Sequence, residues 1–404
     1  MGIYLNSDDT DFRSAVKYSR IYVDKTELIR YTNSVLFGEQ KYICVSRPRR
    51  FGKSMAANML TAYYSRGCDS RGLFQGLKIA THPDFEKHLN QYNVIHLNMR
   101  DYLTESENMK QLIQFVEDDL LDELQQEFSD LRMPRRKTLV KVLEQAFVQY
   151  KIPFVFIIDE WDCIFRVHKS DAASQKDYLD FLRNLLKDKS YIALAYMTGI
   201  LPIKKYGEHS AINVFYEYSM TDASPIEEFT GFTEQEVRQL CEQYNMPFSE
   251  TKKWYDGYCV DGVSIYNPKS VVEAMLRGKF SNYWTQTETY EALKIYIQSN
   301  EFGVQDVILK LLAGEKEKID TTTFSNDMVT FATKDDVLTL LVHLGYLTYN
   351  AETKEIWIPN DEVMEQFIST VKVMGWGSVV TALETSEKLL QATLSGDEET
   401  VAEL

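Results

Sequence analysis

The chain is poor in the residues that build disulfide frameworks and metal sites. Its five cysteines, Cys44, Cys68, Cys163, Cys241 and Cys259, form no CxxC pair, and an odd count at irregular spacing reads as reduced thiols. Six scattered histidines give no HExxH and no Cys/His cluster, which argues against a dedicated zinc site. No apolar run reaches the ~18 residues of a membrane helix. The opening MGIYLNSDDTDF lacks the basic start and apolar stretch of a secretion signal, and Asn6 stands where an N-myristoylation site needs Ser or Thr. These absences give the expectation of a cytoplasmic protein with no membrane contact. Positive charge is also short: 44 Lys and Arg against 60 Asp and Glu leave a net −16. That balance argues against a surface that tracks nucleic acid or anionic lipid, and still allows a local basic patch.

What is present is enough for real cores: 404 residues, 44% hydrophobic and 13% aromatic, the length of two or three domains. Over the first ~220 residues, strand-like and helix-like patterns alternate. Strands are expected at Tyr42 to Val45, Val94 to Leu97, Phe154 to Ile158, Tyr191 to Met197 and Ile212 to Tyr216. Between them, one helical face collects Met109, Leu112, Ile113, Val116, Leu120, Leu124 and Phe128. A second collects Leu139, Leu143, Ala146, Phe147 and Tyr150, and a third Tyr178, Phe181, Leu182 and Leu185. Alternation of this kind predicts an α/β fold, a parallel sheet with helices on both faces. The acidic run Glu117, Asp118, Asp119, Asp122, Glu123 reads as a solvated helix face.

After Pro225 the pattern turns helical. Thr233 and Glu236 have capping-box spacing, Asn267-Pro268 supplies an N-cap and a proline at N1, and Gly278 ends that helix. Thr333 opens a helix stopped by Gly345, followed by two strand-like runs, Tyr346 to Tyr349 and Glu355 to Ile358, the outline of a winged-helix module. The expected domains are a nucleotide-binding core over 1–225, a helical lid over 226–300 and a winged-helix-like module over 301–404. The acidic tail from Gly396 carries an expectation of disorder.

The stretch Arg47-Pro48-Arg49-Arg50-Phe51-Gly52-Lys53-Ser54 follows a strand and precedes a helix carrying Met55, Met59 and Leu60. In a P-loop that context presents backbone N–H groups and a helix dipole to phosphates. Lys53 is then the residue for the β/γ-phosphates and Ser54 a Mg²⁺ ligand, with Arg49, Arg50, Phe51, Gly52 and Met55 completing the cradle. Arg47 stands where the first glycine of GxxxxGK[ST] belongs; the bland alternative is a basic turn before a surface helix. Phe154-Val155-Phe156-Ile157-Ile158-Asp159-Glu160 is a buried-strand pattern ending in two carboxylates, the Walker B arrangement. Asp159 is the expected metal ligand and Glu160 the residue that polarises the attacking water. Thr198, at the end of the run Tyr191 to Met197, is the candidate for touching the γ-phosphate or that water, against simple capping of its turn. Arg47, Arg49 and Arg50 are alternative sources of transition-state charge, with Lys204 and Lys205 as weaker ones.

In these motifs the sequence resembles the bacterial AAA-ATPase-like family whose members are often fused to a PD-(D/E)XK nuclease-like domain. The residues that carry the resemblance are Tyr22-Val23-Asp24-Lys25-Thr26, Arg47 to Ser54, Ile158 to Asp162, Thr198 to Pro202, Trp254-Tyr255-Asp256-Gly257-Tyr258 and Ile265-Tyr266-Asn267-Pro268. The family's loop has the form RPRRFGKS, so Arg47 matches it. The resemblance implies an ATPase using ATP and Mg²⁺, with a nuclease-like effector as partner; a second copy of the chain, in a homo-oligomer, is the other partner considered. No nuclease pattern of Asp followed by Glu-x-Lys stands in the last ~100 residues. The expected activity is a nucleotide-driven switch; the alternatives are an ATP-binding scaffold with negligible turnover and, disfavoured by charge, a nucleic-acid motor.

Overall fold

The structure, a computed structural model, describes residues 2–203, 212–284, 294–295, 297–298, 301–325, 331–375 and 377–403. It divides into two compact units, the first of Met1–Phe232 with Ser325–Thr330 and the second of Thr233–Phe324 with Phe331–Leu404.

The first unit is built on a parallel sheet of β1 (Tyr42–Ser46), β2 (Asn93–Asn98), β3 (Phe154–Asp159), β4 (Ile192–Gly199) and β5 (Tyr216–Tyr218), in the order β2-β3-β4-β1-β5. Every residue of β1, β3 and β4 is buried, as a parallel sheet covered on both faces requires. This is the α/β arrangement, a parallel sheet covered on both faces, that the alternating pattern predicts. β4 lies between β1 and β3, and the register pairs Val45 with Thr198 and Ile158 with Met197. The loop after β1, Asp159 and Thr198 therefore leave the sheet at the same end, where parallel α/β sheets bind their ligands.

One strand is displaced from its expected place. Ile212 to Phe215 form a turn closed by the Phe215 N–H on the Ile212 carbonyl (3.3 Å), and β5 starts only at Tyr216. Ile212 and Phe215 are buried by packing while Asn213 is exposed: Phe215 meets the Tyr42 ring edge-on, and the strand itself is fixed by pairing of Ile43 to Val45 with Tyr216 to Tyr218. The acidic helix face is also more than solvated. Glu123 accepts the N–H groups of Ile3 (2.6 Å) and Leu5 (2.7 Å), and Asp119 accepts from the Tyr102 hydroxyl at 3.0 Å. These carboxylates tie the N-terminal segment and a neighbouring helix to the helix Met109–Glu127.

The Tyr22 to Thr26 motif makes a clasp. Asp24 accepts from the Thr26 N–H and hydroxyl with one oxygen and from the Lys78 N–H, at 2.7 Å, with the other. Thr26 Oγ1 accepts from Ile79 N, and Lys25 Nζ donates to the Glu228 carbonyl. The polar groups of the motif thus hold the helix Glu27–Val35 in place.

In the second unit the expected caps are present. Thr233 and Glu236 close a capping box, Asn267 caps the helix Pro268–Arg277, and Gly278 and Gly345 terminate helices in the left-handed conformation. The helices Val304–Leu312 and Lys334–Leu344 stand with an antiparallel sheet of Thr348–Asn350, Glu355–Trp357 and Glu317–Lys318, a winged-helix-like module. Of the basic residues there, Lys334 is paired with Glu317 and His343 is buried against Phe324. The tyrosines of the Trp254 to Tyr258 and Ile265 to Pro268 motifs are core: Tyr255, Tyr258 and Tyr266 are buried, and the Tyr258 hydroxyl donates to the Gly345 carbonyl at 3.0 Å. The tail is helical over Glu398–Glu403 rather than disordered, because Asp397 caps it through the Thr400 N–H and hydroxyl.

Candidate active site

β1 delivers the chain into the loop 47–52, and the helix Lys53–Tyr64 leaves it. Arg50 (φ 69°) and Gly52 (φ 87°) turn the backbone so that the helix starts facing the end of the sheet. Its first-turn N–H groups have no intrahelical acceptor, which makes this end a cradle for anions. Gly52, Ser54 and Met55 are exposed there, whereas Phe51 is buried and its carbonyl accepts from Gly231 N at 2.9 Å.

The three arginines separate by environment. Arg47 is 1% exposed, and its guanidinium donates to the carbonyls of Ser46 and Tyr218, each at 2.9 Å. Its N–H donates to Gly199 O at 3.0 Å, so Arg47 joins the loop to β4 and β5 instead of facing a ligand. Arg49 is half-buried and close enough for its charge to help lower the pKa of Glu160. Arg50 is half-buried at the left-handed turn. Lys204 and Lys205 lie outside the described residues.

Lys53 is buried, and its Nζ donates to the Pro48 carbonyl at 3.0 Å, bracing the loop across its own mouth. Burial lowers the pKa of its ammonium group against the opposing pull of Glu160, Asp159 and Asp162. Lys53 and the Walker B carboxylates therefore share one electrostatic site. Asp159, 4% exposed, accepts the Thr198 hydroxyl (2.5 Å) and the Glu160 N–H (2.9 Å) on Oδ1. Oδ2 has no hydrogen-bond donor among the described residues and remains available as a hard oxygen ligand. The Lys53, Asp159, Glu160 and Thr198 named from sequence thus converge, with Ser54 at the adjoining helix start.

Two further side chains belong to this cluster and carry no sequence-derived role. Glu160 sits at φ 54°, and its Oε2 is ion-paired with Arg166 Nη2. Arg166 also holds Asp162, Nε to Oδ2 at 3.0 Å. Burial raises the pKa of the Glu160 carboxyl, but Arg166, Lys53 and Arg49 together outweigh it and hold the group below its ordinary value. The Asp162 to Arg166 spacing of one helical turn was the signal in the sequence.

The family model described as a predicted AAA-ATPase matches residues 9–207. Over that span, within the first unit, the chain matches the AAA-ATPase-like family. The chain is 24% identical over 279 residues to an uncharacterized protein in the vnfD 5′ region of Azotobacter chroococcum mcd 1, covering 66% of this chain and 51% of that protein. It therefore spans about half the length of that curated relative. Among solved structures it is similar to the Aeropyrum pernix ORC2 protein in ADPNP-ADP complexes (12% identity, TM-score 0.35, covering 88% of this chain and 97% of that one). It is also similar to Cdc6p from Pyrobaculum aerophilum (11% identity, TM-score 0.26, covering 95% and 99%). Among the described residues, no helix is long and apolar enough to cross a membrane.

Proposed function

We propose that the chain binds ATP with Mg²⁺ and hydrolyses it, using the change to regulate a linked or partner effector. The observation that carries this reading is the convergence of Lys53, at the start of a helix with open N–H groups, on Asp159 and Glu160. The donors fit a nucleotide-bound magnesium ion: the exposed Ser54 hydroxyl and the free Oδ2 of Asp159 are hard oxygens on adjoining elements. Bound there, the ion would neutralise phosphate charge and order the γ-phosphate for displacement. Lys53 balances charge on the transferring group, Glu160 orients and polarises the attacking water, and Thr198 fixes Asp159. The effector role rests on the family resemblance and on the second unit that follows the ATPase-like one.

The test is phosphate release by the wild type, Lys53→Ala and Glu160→Gln, with binding of a fluorescent ATP analogue in parallel. Lys53→Ala is expected to weaken binding, and Glu160→Gln to bind normally while losing about 100-fold in kcat. A Glu160→Gln variant at the wild-type rate refutes the assignment of Glu160. Binding without turnover in the wild type leaves the scaffold reading in its place.

A further inference from the structure

We propose that Arg166 is a positioning residue for hydrolysis, carrying the hold of Asp162 on the segment after β4 over to the carboxylate of Glu160. This role rests on the ATPase reading above.

Asp162 is fully buried, and its Oδ2 accepts the N–H groups of Ile200 at 3.1 Å and Leu201 at 2.8 Å. Those residues follow Thr198 and Gly199 directly, so Asp162 is fixed to the exit of β4. The same carboxylate takes the Arg166 guanidinium on both oxygens, Nε to Oδ2 at 3.0 Å and Nη2 to Oδ1 at 3.4 Å. A planar guanidinium clamped in this way has one orientation left, and in it Nη2 meets Oε2 of Glu160. The side chains of Arg166 and Glu160 are 12% and 20% exposed, so water screens this pair little compared with a surface ion pair.

The turn reinforces the arrangement. Glu160 adopts φ 54°, and the next N–H, that of Trp161, donates back to the Thr198 carbonyl at 3.0 Å. Backbone and side chain of the turn are therefore both referred to β4, the strand that supplies Thr198. A glutamate has three side-chain torsions, and anchoring one carboxylate oxygen removes most of that freedom while the other oxygen stays for water. Orientation of that kind acts on kcat and leaves ground-state binding of nucleotide nearly unchanged. Among the described residues the arginine side chain hydrogen-bonds to Asp162 and Glu160 and to nothing in the phosphate loop or its helix, where its charge acts on Lys53 only through space, so the positioning effect runs through Glu160.

The test uses the full chain and a double-mutant cycle: wild type, Arg166→Met, Arg166→Lys, Glu160→Gln and Arg166→Met with Glu160→Gln. Steady-state ATP hydrolysis is read together with binding of a fluorescent ATP analogue. Arg166→Met is expected to lower kcat about 10- to 100-fold while KM and analogue binding stay within about threefold. Arg166→Lys recovers part of the loss. In the Glu160→Gln background the methionine substitution changes kcat by less than about twofold, since the group through which it acts is already gone. An unchanged or raised kcat in Arg166→Met overturns the proposal, as do equal losses in the two backgrounds. Should Arg166→Met not fold, Arg166→Lys alone and with Glu160→Gln completes the same cycle. A wild type that binds the analogue yet releases no phosphate refutes hydrolysis itself and the positioning role with it, whereas equal losses with turnover intact refute only the latter.

Discussion

The Thr198 hydroxyl donates to Oδ1 of Asp159 at 2.5 Å, joining the ends of two adjacent strands inside the sheet. Both residues are buried, so the bond is an internal support for the carboxylate and leaves Oδ2 oriented. Thr198→Val keeps the shape and removes the donor. Turnover is expected to fall about 10-fold, with stability lower by ~1 kcal/mol because a buried carboxylate oxygen loses one of its two donors and keeps the Glu160 N–H. Thr198→Ser should restore most of both. Steady-state kinetics with urea denaturation of each variant reads the two effects separately, and equal turnover in Val and wild type would remove Thr198 from the mechanism.

Arg47 supports the phosphate loop from below. Its Nη1 donates to both the Ser46 and Tyr218 carbonyls from a position 1% exposed, and the compact ammonium of lysine does not reproduce the shape of the buried guanidinium. Arg47→Lys and Arg47→Ala are both expected to destabilise the first unit, by about 2–4 kcal/mol for alanine. Nucleotide binding should weaken in proportion to loss of folded protein rather than through a lost phosphate contact. Analogue binding measured well below the thermal midpoint distinguishes the two: near-normal affinity there supports a structural Arg47, and a large loss assigns it to the ligand.

The strands β1 to β4 and the helix caps were legible because each is written in consecutive residues. An apolar run such as Phe154 to Ile158 buries both faces of a strand, and Thr233 with Glu236 closes a box within four positions. The displacement of β5 was not legible, because Ile212 to Phe215 are as apolar as a strand, and only pairing with Ile43 to Val45 decides which residues enter the sheet. Lys53, Asp159, Glu160 and Thr198 were legible as candidates from their places at strand and helix ends. The separation of Arg47 from Arg49, and the pairing of Arg166 with Glu160, depend on long-range burial and on a left-handed turn at a non-glycine residue. Neither leaves a local pattern.

Gly257 in the second unit has φ +102°, and a Cβ there would stand 1.9 Å from the Pro359 carbonyl oxygen. The contact is backbone against backbone, reinforced by Asn360 Nδ2 donating to the Asp256 carbonyl at 2.7 Å, so no side chain can yield. Gly257→Ala is expected to cost about 3 kcal/mol or more. Gly262, at φ +79° with nothing within 4 Å of its Cβ, is the control. Its alanine variant carries backbone strain alone, about 1 kcal/mol. Urea unfolding and limited proteolysis of the two variants check this, and similar stabilities would show that the close approach at Pro359 does not restrain the unit.

Glu362 sits at the start of the helix Asp361–Val373, 1% exposed, where Oε1 accepts from Ser270 Oγ (2.9 Å), Tyr283 N (2.6 Å) and Trp284 N (2.9 Å). Burial raises its pKa to about 7; the three donors favour the ionised form and offset only part of that, and Glu365 nearby adds to the rise. The fold therefore binds this proton more tightly than the unfolded chain does. The stability it confers is complete below the ordinary carboxyl range and drains as pH rises through about 7. Across that window the loss is on the order of 2–3 kcal/mol. Glu362→Gln keeps an acceptor for the three donors and cannot ionise, so its second unit should hold its stability between about pH 5 and about pH 8 while the wild type weakens. Urea unfolding at a series of pH values, followed by a fluorescence signal from Trp284, gives both slopes. Parallel slopes in the two proteins would mean that Glu362 folds already ionised, its three hydrogen bonds outweighing the burial.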